Sequence, residues 1–233
     1  MDSPSAELDL SPLGPDVSFE RFVPTAGTGS ALAVARAMSG RSVGSPRVLL
    51  LHGPTAVGKT HLLRAILRHA QQERSSTVVS HLVGLEIVAL LVTAFRRGQD
   101  GAEHLGWKGA EFIALDDLHV LADLPRVQHE MALLIKEAAA AGSRVVCAVG
   151  GSLAQLETLV TGLDQSPGVV AAALDRPSDR DFRRILTRIA EGRGILPGAF
   201  DCRAIAASSG GDVRRSIGTL TRYRLGQSVR PVR

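Results

Sequence analysis

"LLLHGPTAVGKTHLL", residues 49 to 63, places an apolar run ahead of a glycine-bounded loop and a helix-forming stretch. Gly53, Pro54, Thr55, Ala56, Val57, Gly58, Lys59 and Thr60 fit the pattern G-x-x-x-x-G-K-[ST]. The pattern needs a preceding strand and a following helix to become a site, and both flanks supply them. Small residues and two glycines let backbone N–H groups curl around phosphate oxygens, and the helix start adds positive potential. Lys59 is then expected to reach the β and γ phosphates of a nucleoside triphosphate, and the Thr60 hydroxyl to ligate Mg²⁺. The competing reading is a flexible strand-to-helix turn on which Lys59 is merely exposed.

Outward from this loop, five apolar segments recur with helix-length spacers: residues 47–52, 76–82, 111–117, 143–150 and 168–175. Their continuous hydrophobicity predicts strands buried on both faces. Spacers such as "KTHLLRAILRHAQQ" and "HEMALLIKEAAAA" carry helical patterns. The alternation predicts an α/β fold: a P-loop, three-layer parallel sheet. After Pro177 three helical stretches follow, punctuated by Gly and Pro, and predict a small helical lid. The expected organisation is a leader over 1–18, a nucleotide-binding core over 19–176, a lid over 177–226 and a basic tail over 227–233.

A phosphate cradle needs a carboxylate at the end of a neighbouring strand, and "EFIALDD" supplies Asp116 and Asp117, the Walker B pattern. Asp116 is assigned to the metal alongside Thr60, and Asp117 to orienting or activating a lytic water. Two adjacent acids at a strand end can also cap the next helix.

Composition bounds the rest. At 233 residues and 45% hydrophobic content the chain can bury a sizeable core. Cys147 and Cys202 lie far apart without metal-ligand spacing, so neither a disulfide framework nor a zinc site is implied. The longest apolar run, "IVALLVTAF", is too short to cross a bilayer, and the first residues form no signal peptide, so a cytoplasmic setting is expected. The tail from Arg203 onward carries seven arginines against one acid, Asp212, which leaves a weak single-stranded DNA contact open. Aromatics make up only 3% of the chain, so stacking platforms for bases are scarce.

"GKTHLL", "FIALDDLHVLA" and "QHEMALLIKEAAAAGSRVV" resemble the AAA+ domain of the bacterial replication initiator DnaA and its relative Hda. The resemblance runs from about Phe19 to Leu225, and it is most specific at the two Walker segments. It implies an AAA+ fold binding ATP or ADP with Mg²⁺ and acting in chromosome replication through protein partners, a DnaA-type initiator among them. "SFERFVPTAGTGSALAVARA" resembles the segment leading into the nucleotide site, which places Phe22 and Val23 beside the adenine. "DVRRSIGTL" resembles the sensor II segment "NVRELEGAL" and puts Arg214 at the phosphates, as a binding and catalytic residue. His61, adjoining Thr60, is counted in the cofactor-binding set. A lone His beside a phosphate loop ordinarily packs or caps, which is the competing reading for His61 and the role given to His119. "ELDLSP" at Glu7 to Pro12 resembles the Q-L-x-L clamp-binding peptide of Hda-like proteins, with Leu8 and Leu10 as docking residues for a sliding clamp. A polar leader is the competing reading.

Three departures set the expected activity. No Arg or Lys lies between Arg144 and Arg176, where the family carries its arginine finger. A finger contributes about 10³ to 10⁵ in rate where it is used. The polar sensor I residue at the end of the fourth strand is replaced by Gly150 or Gly151, with Ser152 the nearest substitute. The sequence ends soon after sensor II, so the family's helix-turn-helix domain, and duplex recognition through it, are expected to be missing. Nucleotide binding with weak or lost hydrolysis is the expectation. The alternatives are a pseudo-ATPase adaptor outside replication, and an active remodeller or helicase loader on single-stranded DNA.

Overall fold

The computed structural model describes residues 17–40, 44–74, 76–99, 101–164, 166–195, 201–209 and 212–224. Leu8, Leu10 and the basic tail lie outside them. The chain runs α1 (Gly29–Ser39), β1 (Val48–Gly53), α2 (Lys59–Glu73), β2 (Val79–Val83), α3 (Gly84–Arg97), α4 (Gly101–His104), β3 (Phe112–Asp116), α5 (Pro125–Ala140), β4 (Arg144–Gly150), α6 (Glu157–Asp164) and β5 (Val169–Ala173). Three helices follow: α7 (Asp179–Gly192), α8 (Cys202–Ser209) and α9 (Val213–Arg224). Short 3-10 turns cover Leu118–Leu121 and Leu153–Leu156.

The five strands form one parallel sheet in the order β2-β3-β4-β1-β5. Successive side chains on a strand point to opposite faces, and this divides the core in two. Leu50, Ile113, Leu115, Val145, Cys147 and Val149 pack under α3, α5 and α6. Leu49, Leu51, Phe112, Ala114, Val146 and Ala148 pack under α1 and α2. The three-layer α/β architecture is therefore the observed one. Burial on both faces holds for β1, β3 and β4, whereas the outer strands β2 and β5 are mostly half-buried or exposed. Their apolar runs read like those of central strands because periodicity reports side-chain type and not position in the sheet. Trp107 is core, 4% exposed, and Cys147 is core as well, its thiol pushed up to about 12 by burial.

The helices start where the sequence offers starts. Pro125 opens α5 at its first turn, where a missing N–H costs nothing. Ser178 caps α7: its hydroxyl accepts from the Asp181 N–H at 3.2 Å and donates to the Asp181 carboxylate at 2.8 Å. Beyond the sheet, Phe182, Leu186, Ala190, Ile195, Ile205 and Leu220 make a separate small core joining α7, α8 and α9. Among the described residues no helix is long and apolar enough to cross a membrane.

Parallel strands align their carboxyl ends, and open α/β sheets hold ligands there. Gly53 pairs with Gly150 across β1 and β4, and Asp116 closes β3, so the conspicuous motif residues reach one edge.

Candidate functional site

A cavity of about 790 Å³ opens at that edge between the sheet and the α7–α9 bundle, within the usual range for small-molecule sites. Its wall includes Phe22, Val23, Thr55, Ala56, Val57, Gly58, Lys59, Thr60, His61, Asp117 and Arg214. Segments from three distant parts of the chain therefore meet at one place. Gly53, Pro54 and Asp116 stand behind the wall and act through their neighbours.

The loop takes its shape from positive-φ positions. Gly53 has φ 139, and a side chain there would collide with the Leu174 carbonyl oxygen. Ala56 at φ 63 and Gly58 at φ 106 turn the chain into α2. Lys59 is 8% exposed, which removes the reading of a merely exposed lysine on a flexible turn. Its ammonium donates to the Gly53 carbonyl at 2.8 Å and to the Pro54 carbonyl. Burial lowers its pKa, Asp116 and Asp117 oppose that, and the Arg214 charge adds to it. Arg214 comes from α9, so the bundle lends positive potential to the loop.

Behind the loop the Thr60 hydroxyl donates to Asp116 Oδ1 at 3.1 Å, and the Asp117 N–H donates to the same oxygen at 3.0 Å. Asp116 is 4% exposed, and burial, then the charge of Asp117, raises its pKa. No described cation pairs with it in ion-pair contact. A buried carboxylate, a hydroxyl and a second carboxylate with no such counter-ion fit a hard divalent cation that keeps waters and phosphate oxygens as its other ligands. No cluster of three or more metal-ligating side chains exists among the described residues, so the protein alone offers no complete cage. Asp117 sits in the left-handed region, φ 56 and ψ 37, and its side chain makes no cap bond to the following turn. The helix-capping reading of this pair therefore fails for Asp117, whose half-exposed carboxylate faces the cavity.

The opposite end is apolar and comes from both sides. Phe22 packs on Gly58 and meets the His61 ring edge-on at 5.5 Å between centroids. His61 Nε2 donates to the Ser18 carbonyl at 2.8 Å, pinning the entry segment to α2, and burial lowers its pKa. Ile185 and Ile189 of α7 and Val213 and Ile217 of α9 line the facing wall. Sequence reasoning missed these four; their i, i+4 spacing on two helices was the available signal. Arg188 of α7 reaches the Glu20 carbonyl at 3.5 Å and also lines the cavity. Arg184 pairs with Asp181 at 3.0 Å, so this part of the arginine-rich run is a solvated helix face. Ser152 does not reach the site: its hydroxyl accepts from the Ala154 N–H, and β4 presents only Gly150 to the cavity.

Residues 13–166 match the family model for the bacterial DnaA ATPase domain. The chain belongs to that family. Chromosomal replication initiator DnaA of Caulobacter vibrioides is 29% identical over 168 residues, covering 71% of this chain and 34% of that protein. Its counterpart in Brucella abortus is 30% identical over 151 residues, covering 64% and 30%. The chain thus spans about a third of the length of these DnaA relatives. Domain III of Thermotoga maritima DnaA superposes with a TM-score of 0.76 at 23% identity, over 93% of this chain and 92% of that one. AMPPCP-bound DnaA from Aquifex aeolicus gives 0.75 at 16% identity, over 91% and 66%. At these identities the superpositions speak for the DnaA-like AAA+ fold.

Proposed function

We propose that this DnaA-family domain binds ATP or ADP with Mg²⁺ and works as a nucleotide-dependent regulator of chromosome replication, hydrolysing slowly or not at all. One observation carries the reading: the loop with its buried lysine, Thr60 backed by Asp116, and Arg214 of the helical bundle meet at one cavity. Phosphates would take the Lys59 ammonium from the Gly53 and Pro54 carbonyls. Bound Mg²⁺ would neutralise phosphate charge beside Thr60 and Asp116. Phe22, Val23 and the two isoleucines of α7 suit the flat apolar base. A relative that binds AMPPCP supports the ligand class.

The weak-hydrolysis part rests on what surrounds Asp117. A lytic water needs a base and donors that stabilise charge as it develops. Asp117 can orient the water, and Arg214 is the sole guanidinium here assigned to the phosphates. The stretch from 145 to 175 supplies no cation for a neighbouring subunit's site. Protein contacts that respond to nucleotide then carry the biological output, with a DnaA-type initiator and a sliding clamp engaged through Leu8 and Leu10 as the proposed partners. A relative bound to single-stranded DNA favours the remodeller as second reading.

Nucleotide titration by thermal shift, run beside steady-state hydrolysis for wild type, Lys59→Ala and Asp117→Ala, tests both. The proposal expects stabilisation by ADP and ATP that Lys59→Ala abolishes, with negligible turnover. Robust turnover that Asp117→Ala removes and single-stranded DNA stimulates would replace the regulator with the remodeller.

A further inference from the structure

The phosphate end of the cavity is closed by a pair of residues that no motif joins. Gly150 ends β4, and a β-carbon built there would stand 3.0 Å from His119 Nδ1 and 3.3 Å from its Cγ. The His119 ring therefore fills the volume that a side chain at 150 would take. It stands on the 3-10 turn directly after Asp117, with Nδ1 3.9 Å from Asp117 Oδ1, too long for a hydrogen bond. His119, Asp117, Lys59, Thr60 and Gly150 line the same cavity.

The ring is accessible but its base is fixed. Its side chain is 44% exposed, so a ligand can reach it. Leu118 and Leu121 on the same turn are fully buried, and Gln128 donates to the carbonyls of Leu121 and Ala122. Of the residues at the end of β4 only Gly150 lines the cavity; Gly151, at φ 94, and Ser152, whose hydroxyl accepts from the Ala154 N–H, do not.

We infer that His119 recognises the terminal phosphate of a nucleoside triphosphate through an imidazole N–H, and that Gly150 is side-chain-free to admit the ring. This rests on the reading of the cavity as an adenine nucleotide site and assigns its discrimination of triphosphate from diphosphate. The loop and Lys59 engage phosphates that both ligands carry, Lys59 reaching the γ phosphate as well. His119 stands beside Asp117, the acid assigned to the lytic water that attacks the terminal phosphate.

Isothermal titration of the whole chain with MgADP and with a non-hydrolysable Mg-triphosphate tests the assignment in wild type, His119→Ala and His119→Gln. A hydrogen bond to a charged group corresponds to roughly 10- to 100-fold in affinity. His119→Ala is expected to weaken the triphosphate by about 10-fold or more on that scale and to leave MgADP within about 2-fold. His119→Gln, which keeps an N–H donor, is expected to recover most of the difference. Equal weakening of both nucleotides, or no change in either, overturns the assignment while leaving the nucleotide site in place. Failure of wild type to bind either nucleotide overturns the assignment together with the reading beneath it.

Discussion

The Phe22 ring lies so close over Gly58 that a β-carbon on Gly58 would stand 2.8 Å from Phe22 Cε2. Residues 36 positions apart thus share one contact, and the loop is held against the wall assigned to the base. Gly58 also carries φ 106, where an L-residue pays roughly 1–2 kcal/mol. Gly58→Ala is expected to lower stability by at least that amount in urea unfolding and to abolish the nucleotide-induced thermal shift. The double variant Gly58→Ala with Phe22→Leu should recover part of the stability. A double variant no better than the single one would attribute the whole cost to backbone strain.

Thr60 and Asp116 make a metal prediction. Their 3.1 Å bond spans α2 and β3, and the hydroxyl has no other role in the fold. Thr60→Val is expected to weaken Mg-nucleotide binding by at least ~10-fold, the scale seen for groups supporting a metal, while nucleotide binding in EDTA changes little. Isothermal titration with and without Mg²⁺ reads the difference. Equal losses under both conditions would remove Thr60 from the metal site.

The phosphate loop was legible because one contiguous run sets its spacing, flanks and backbone requirements. The sheet was legible for a similar reason: central strands buried on both faces have continuous apolar runs, and Leu49 to Leu51 or Ile113 to Leu115 are such runs. The remainder depended on tertiary placement. Nothing local says that Phe22 meets Gly58, that Ile185 faces the loop, or that His119 occupies the space beside Gly150. The sequence does contain the matching pair, a glycine at one position and a ring at another, but only the fold brings them together.

Acidification should loosen the entry segment. His61, which donates to the Ser18 carbonyl, has its pKa lowered by burial, and burial lowers His52 and His81 too. A histidine depressed in the folded state takes its proton first in the unfolded chain, so stability rises with pH through that window. The contribution is fully present above the ordinary value of 6.5 and is lost as pH falls from there towards the folded-state value. His61→Asn, which keeps a donor but cannot titrate, should show a shallower loss of stability over that range by urea unfolding. Parallel curves for the two proteins would show that His61 titrates alike folded and unfolded.

Gln128 holds the turn on which Asp117 and His119 depend. It is 2% exposed; its amide donates to the Leu121 and Ala122 carbonyls at 2.8 and 3.1 Å and accepts from the Leu159 N–H at 3.3 Å. One side chain of α5 therefore ties the turn to α6, adding to the bond that the Leu121 carbonyl accepts from the Leu124 N–H. Gln128→Leu keeps most of the volume and removes these three bonds, at a cost of roughly 1–3 kcal/mol for each group it leaves buried and unpaired. The expected result is an unfolding free energy lowered by at least one such increment, read as a lower urea midpoint with no change in slope. The same variant should weaken triphosphate binding more than diphosphate binding, because the loosened turn carries His119 and not the phosphate loop. A loss of stability with both affinities unchanged would confine Gln128 to the core and separate the turn's packing from its work at the phosphate end.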